Sequence, residues 1–349
     1  MGYLKEFETG GRHLLASCVG LALGSAMMAY AGSLFAPPLI KEFGWSKAQF
    51  ALSGSLSLFS MLFVPVAGRF TDRFGPRVAA MVGFTVLPLT FLALSFMTGQ
   101  IWQFFAISVI QHMFGILTTT VVFVRVIIER FDSARGIALS LLMTGAPLAG
   151  ALVTPLLSEL IDTDGWRAGY RAMALLSVIG GIVAISLMGN GPRKPGAPAA
   201  ERSRSPAMPL RQFGGMAKNP LFLLLLGGMF LCNIPQIIVL SQLKLVLAES
   251  NAPSQLATWI VSLYAGGVIV GRFIAGLALD RVPAHIVAIF SLGIPAIGYM
   301  ALASDFDAGW VLAGSVLLIG LAQGSEGDIG PTSPRASSVS RTTASFTAS

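Results

Sequence analysis

The sequence predicts an all-α membrane protein with about ten transmembrane helices arranged in two bundles. Three observations predict it. Apolar residues make up 54% of the 349 residues and charged residues only 11%, against about 25% charged in soluble domains. Mean hydropathy is +0.75, which leaves too little polar surface to coat a globule in water. The apolar residues also fall in blocks of about 20, the length at which a helix crosses a bilayer. Strict alternation of apolar and polar residues is absent, which speaks against a closed barrel, the other structure that satisfies its backbone in hydrocarbon. A short charged start precedes the first block and similar blocks follow, so the N-terminus does not read as a cleavable signal peptide.

The spans lie near 14–36, 49–68, 78–97, 101–124, 137–160, 172–189, 220–241, 255–279, 284–304 and 309–329. Glycine and proline are frequent inside them, as bilayer helices tolerate. Residues 190–219 are rich in Pro, Gly, Ala, Ser and Arg and contain no long apolar run, so they read as a linker. The expected organisation is an N-terminal six-helix bundle over 1–189, a linker over 190–219, an incomplete C-terminal bundle of four helices over 220–330, and a tail over 331–349. Cys18 and Cys232 both sit inside apolar blocks and read as small hydrophobes.

The loops carry an orientation. With the N-terminus inside, the cytoplasmic ends and loops, counting the intramembrane Arg272, hold sixteen of the 23 Lys and Arg; the opposite loops hold five and the tail two. This asymmetry puts the N-terminus and the linker in the cytoplasm; the membrane is expected to be the plasma (bacterial inner) membrane. It also accounts for the net charge of +7 without nucleic acid.

Between the second and third spans lies Gly68-Arg-Phe-Thr-Asp72-Arg73-Phe-Gly75-Pro-Arg77. Two apolar helices joined by so short a loop need a tight turn, and Gly75 permits a positive φ. Asp72 falls at a helix end, where it can pair with basic residues or meet the N-terminus of another helix. After the eighth span, Gly271-Arg272-Phe-Ile-Ala-Gly276-Leu-Ala-Leu-Asp280-Arg281 repeats the G-x-x-x-D-R core at the corresponding place. In this copy Pro283 stands for Gly75 and His285 for Arg77. Recurrence at the second span of each half marks two repeated halves.

The paired loops resemble the signature of the major facilitator superfamily. Residues 38–45 (Pro-Leu-Ile-Lys-Glu-Phe-Gly-Trp), 130–139 (Arg-Phe-Asp-Ser-Ala-Arg-Gly-Ile-Ala-Leu) and Gly165-Trp166-Arg167 are similar to its branch of oxalate–formate antiporters and monocarboxylate carriers. The resemblance covers about residues 14–330. It implies the major facilitator fold, two inverted-repeat helical bundles with about ten of twelve transmembrane helices present. It implies secondary active transport of a small solute, an organic anion such as a mono- or dicarboxylate, by a monomer in membrane lipid. A metabolite exporter and an inactive remnant are the alternatives. The cytoplasmic gating motif would comprise Gly68, Asp72, Arg73, Gly75, Arg77, Gly276, Asp280 and Arg281. In the superfamily the Asp72 loop packs against the start of helix eleven, so without that helix Asp72 is expected to lack its partner across the bundle interface.

Arg272 is the foremost candidate for substrate binding. It lies eight residues before Asp280, about 12 Å along a helix, which is near the middle of a hydrocarbon core about 30 Å thick. Ionisable groups there are costly and mark function. Its guanidinium suits a bidentate carboxylate; snorkelling or pairing with a structural acid is the competing reading. Val268 stands where monocarboxylate carriers often place an aspartate. Gln242, Gln111 and His112 are further substrate-binding candidates, although a buried, hydrogen-bonded role also fits His112. Glu326 and Asp328 are candidates for coupling. Lys244 reads as an outer-interface residue, and Gly145-Ala-Pro147-Leu-Ala-Gly150 as small-residue packing with a kink. There is no nucleophile elbow and no metal-ligand cluster, so no enzyme and no cofactor are expected. With no Walker loop, the energy source is expected to be a gradient.

The tail changes character. Residues 331–349 contain ten Ser or Thr and neither Leu nor Ile. Read one base earlier, with Ser as TCN and Arg as CGN, the same codons are compatible with A-Y-L-A-S-R-V-F-G-L-T-N-Y-G, which resembles what this branch shows after a Gly-x-Glu-x-Asp stretch such as Gly324–Asp328, so a frameshift near Gly330 is expected. It would truncate the tenth span and remove two more. The alternative is a disordered tail.

Overall fold

The structure, a computed structural model, describes residues 3–132, 134–189, 242–247, 254–279, 284–304 and 308–329, with single positions at 220, 223, 227 and 282. The chain forms two compact units, Met1–Leu245 and Val246–Ser349. The described residues contain helices and no strand. Among the described residues, five helices are long and apolar enough to cross a membrane, or six if one bent pair counts as a single span. The span expected near 220–241, the linker and the tail lie outside the described residues.

The first unit starts with α1 (Tyr3–Ala22), α2 (Ala26–Ala31), a 3-10 turn (Gly32–Phe35) and α3 (Ala36–Phe43). Together they make one span bent by 41°. After α4 (Lys47–Ser55) come α5 (Ser57–Phe74) and α6 (Pro76–Ser95). A Ser46–Gln49 capping box starts α4 by satisfying two otherwise orphaned backbone donors. The fourth span is α7 (Ile101–Gly115), a 3-10 turn (Ile116–Thr118) and α8 (Thr120–Arg130). The fifth and sixth are α9 (Arg135–Asp164) and α10 (Trp166–Met188).

The irregularities of the first and fourth spans meet. At the first break Ser25 N–H leaves the helical ladder and donates to Thr118 Oγ1 at 2.9 Å. Thr118 Oγ1 in turn donates to the Gly115 carbonyl at 2.7 Å, and Thr119 is extended, with φ −108° and ψ −172°. Gly24 permits the approach: a Cβ there would sit 2.7 Å from the Thr118 carbonyl oxygen. The break in the fourth span thus supplies the acceptor for a donor that the break in the first frees, as a low-dielectric interior demands.

Small residues let the helices close up. A Cβ on Gly145 of α9 would lie 3.0 Å from the Cys18 carbonyl, and one on Gly150 would lie 2.6 Å from Tyr30 Cγ. This is the packing expected of that stretch. Near the start of α9, Glu6 Oε2 accepts from Asp132 N–H at 3.2 Å and Ala134 N–H at 3.0 Å.

At the opposite end an aromatic cluster holds the unit together. Phe43 packs on Trp45 and Trp166, Trp45 on Phe104, and Phe35 stacks on Tyr170 with centroids 4.0 Å apart. Glu42 ties this cluster to α10: Oε2 accepts from Trp166 Nε1 at 2.5 Å and Oε1 from Arg167 at 2.7 Å. Arg167 also lies over the Trp166 ring at 4.1 Å. Trp166 is buried while Glu42 and Arg167 are about two-fifths exposed. An exposed ion pair contributes about 0.2–1 kcal/mol, whereas an orphaned buried indole N–H costs about 1–3 kcal/mol. Glu42→Gln, which keeps an acceptor, is therefore expected to cost under about 1 kcal/mol and Glu42→Leu about 2–3 kcal/mol. Thermal unfolding of both variants in detergent checks this, and equal losses would show that the charge, not the acceptor, matters.

The second unit contains α11 (Ser254–Leu279), α12 (Ala284–Leu302) and α13 (Gly309–Ile329). α11 and α13 meet backbone to backbone along Gly267 and Gly271 on one side and Gly320 and Gly324 on the other. A Cβ on Gly271 would stand 2.0 Å from the Leu321 carbonyl oxygen, and one on Gly324 would stand 2.1 Å from the Val268 carbonyl oxygen. These are two G-x-x-x-G faces in contact, a device for close approach of helices in lipid. Above this seam Tyr264 O–H donates to Gln323 Oε1 at 3.1 Å.

Candidate functional site

The first copy of the motif closes α5 onto α6. Gly75 adopts φ +88° and ψ 158°, and its N–H donates to the Thr71 carbonyl at 2.8 Å, so the turn uses the positive φ that its glycine permits. Pro76 opens α6, a position where the missing N–H costs nothing. Gly68 exposes its backbone to Arg125 of α8: its carbonyl accepts from Arg125 Nη2 at 3.4 Å. Asp72 pairs with Arg125 Nε at 3.0 Å, and Arg125 Nη1 donates to the Val121 carbonyl. Arg73 lies over the Phe74 ring at 5.3 Å. Arg77 Nε is buried without a hydrogen-bond partner among the described residues.

The structure gives Asp72 a local partner, distinct from the one expected across the bundle interface. Its partner is Arg125, inside its own unit, because α5 and α8 end side by side at the same face. The Asp72 side chain is 65% exposed and that of Arg125 31%, so screening keeps the pair weak. Asp72→Asn is expected to lower stability by about 1 kcal/mol or less. Chemical denaturation followed by intrinsic fluorescence checks this; a loss beyond about 3 kcal/mol, the scale of a broken buried pair, would contradict it.

In the second copy Gly276 lies within α11; Asp280 and Arg281 fall outside the described residues. Arg272 is half-buried on α11. Its Nε and Nη1 are buried and have no hydrogen-bond partner among the described residues. It borders the glycine seam: a Cβ on Gly324 would sit 2.7 Å from the Arg272 backbone nitrogen. Glu326 and Asp328 belong to α13, but their side chains are outside the described residues.

The remaining candidates are dispersed. Gln111 is buried and donates to Thr90 Oγ1 of α6 at 3.4 Å, so it faces the interior of its own unit. His112 Nδ1–H donates to the Ser108 carbonyl at 2.7 Å, one turn back on the same helix. Gln242 is half-buried on the helical residues 242–247. Lys244 lies beside the last turn of α9, the end expected at the outer interface, and is buried there. It is 7% exposed, donates to Ser158 Oγ of α9 at 2.7 Å and lies 3.7 Å from Asp162 Oδ1. A buried ammonium needs a hydroxyl and a carboxylate of this kind to offset lost hydration. A lone lysine near the end of an apolar span gave no sign of that partner, which lies 86 residues away. Among the described residues no group of His, Cys, Asp and Glu is arranged to hold a metal ion.

Apolar helices long enough to span a bilayer, a tight glycine loop at the end of the second span, and a recurrence of its G-x-x-x-D-R core in the sequence after the eighth mark a polytopic α-helical membrane protein with an internal repeat. The chain belongs to the Major Facilitator Superfamily, whose sequence profile matches residues 17–344. It is 23% identical over 282 residues to the fujikurins efflux protein of Gibberella fujikuroi, covering 80% of this chain and 58% of that one. It is 28% identical over 114 residues to monocarboxylate transporter 13 of Bos taurus, covering 33% of this chain and 26% of that one. Among solved structures, a bacterial homologue of the human lysosomal transporter Spinster, inward-facing and unoccupied, superposes with a TM-score of 0.70 at 16% identity over 97% of this chain and 79% of that one. The chain spans little more than half the length of the curated efflux relatives it matches.

Proposed function

We propose that the chain is a secondary active transporter of a small organic anion, such as a mono- or dicarboxylate, working by alternating access as a monomer. The observation that carries this reading is Arg272, a guanidinium whose buried Nε and Nη1 have no hydrogen-bond partner among the described residues. A buried cation without an acid is costly, and a carboxylate that arrives as substrate relieves that cost by bidentate hydrogen bonds. The fragmentary similarity to a monocarboxylate transporter supports it. Gly68, Asp72, Arg73, Gly75 and Arg77, with Gly276, Asp280 and Arg281 in the second copy, serve as the cytoplasmic gate, and Glu326 and Asp328 as coupling groups. The test is thermal stabilisation of the purified chain by a panel of carboxylates, since a ligand bound only to the folded state stabilises it by RT ln(1 + [L]/Kd). No shift with any member at millimolar concentration would overturn the reading.

A second reading, export of a metabolite, is favoured by the similarity to an efflux protein. A neutral substrate that stabilises the chain equally well after Arg272→Gln would select it. In both readings the membrane is the plasma membrane and the N-terminus and residues 190–219 are cytoplasmic. Ser203→Cys is then expected to resist a membrane-impermeant thiol reagent in intact cells and to react after lysis; labelling in intact cells would invert the topology.

A further inference from the structure

An open crevice of about 280 Å³ lies where α6 ends and α7 begins, lined by Ala93, Phe96, Met97, Trp102, Gln103, Ala106 and Ile107. We propose that it holds one acyl chain of an anionic phospholipid, whose phosphate sits on Arg171.

Three features of the crevice carry this. It is preformed, because the connecting loop is pinned from both sides. Trp45 Nε1 donates to the Gly99 carbonyl at 2.9 Å, and the Thr98 N–H and O–H both donate to Gln103 Oε1, at 3.2 and 2.9 Å. A binding surface ordered in advance loses less entropy when occupied. It opens towards lipid: Phe96 is 70% exposed and Trp102 63%, at the helix ends where aromatic belts meet the headgroup level. The apolar strip continues from there along both helices, through exposed Leu92 and Leu89 on α6 and Ile110 on α7, which is the path of an extended chain and not of a compact solute.

The third feature is charge. Arg171 of α10 projects beside the mouth, its guanidinium 5.7 Å from the centre of the Phe96 ring. It is exposed and makes no ion pair with a described residue. A guanidinium next to a chain-sized apolar groove matches a phosphate joined to an acyl chain. A zwitterionic headgroup brings its own cation and has less use for it.

Native mass spectrometry of the whole chain, released from mixed micelles of phosphatidylglycerol and phosphatidylcholine at equal amounts, tests this. Wild type is expected to retain phosphatidylglycerol over phosphatidylcholine by at least about threefold. Arg171→Gln is expected to abolish the preference, Arg171→Lys to keep part of it, and Ala106→Trp, which fills the groove from an exposed position, to reduce retention of both lipids. Thermal unfolding of each variant confirms that it is folded. Equal retention of the two lipids by wild type, or an unchanged preference in Arg171→Gln, overturns the proposal.

Discussion

Arg272→Lys is expected to lower carboxylate transport, and the carboxylate affinity read from thermal stabilisation, by about 10- to 100-fold. The substitution keeps the positive charge and removes the planar fork that binds both oxygens of a carboxylate at once. A hydrogen bond to a charged group contributes about 1.5–3 kcal/mol, and a factor of ten corresponds to about 1.4 kcal/mol. Losing one such bond gives the lower figure, and losing it together with its geometry gives the upper. Because Arg272 Nε and Nη1 have no hydrogen-bond partner among the described residues, the substitution orphans no described neighbour, so the folded chain is expected to unfold at nearly the same temperature in the absence of ligand. Unchanged binding beside a large fall in stability would make Arg272 a structural residue and remove the main support for an anionic substrate.

Gly271→Ala is expected to lower the unfolding temperature in detergent by about 6 °C or more. The added methyl would stand 2.0 Å from the Leu321 carbonyl oxygen and 2.6 Å from Leu321 Cα. Both belong to backbone, which cannot swing away as a side chain tip can. The helices must therefore separate along the whole seam, which puts the cost at the upper end of the usual 1–3 kcal/mol for overpacking, or about 2–4 °C per kcal/mol in a protein of this size. Gly266→Ala is the internal control. It lies on the same helix next to the seam, and a Cβ there meets nothing within 4 Å, so the shift should stay within about 1 °C or rise slightly, since alanine is the better helix former. Equal effects at the two positions would mean that the seam is looser than its geometry.

Legibility from sequence followed the range of the interactions. Helix existence was plain because lipid imposes one solution on any long apolar block; the blocks near 78–97, 255–279 and 309–329 appear as α6, α11 and α13 to within a few residues. The Gly75 turn was readable because a short loop leaves few backbone choices. Contacts between distant segments were not. Residues 38–45 and Gly165-Trp166-Arg167 were singled out as separate motifs, yet nothing in either shows that Glu42 holds both Trp166 and Arg167. Asp72 was read as reaching across to a missing helix, while its partner Arg125 stood among the basic residues of its own half. The α11–α13 seam did leave a trace, glycines spaced by four at 267 and 271 and at 320 and 324, though spacing alone does not say which helix fills the groove.

The meeting of the first and fourth spans at Ser25 and Thr118 makes their two irregularities a single inherited unit. A change that straightened the fourth span alone would strand the Ser25 N–H in a medium that offers it no water. The same change made in both helices would restore two continuous ladders. Substitutions there should therefore be non-additive, with Thr118→Val and a helix-restoring change at Gly24 each harmful alone and less so together. Across relatives, the two positions are expected to vary in concert, and a kink kept in one helix should foretell a kink in the other.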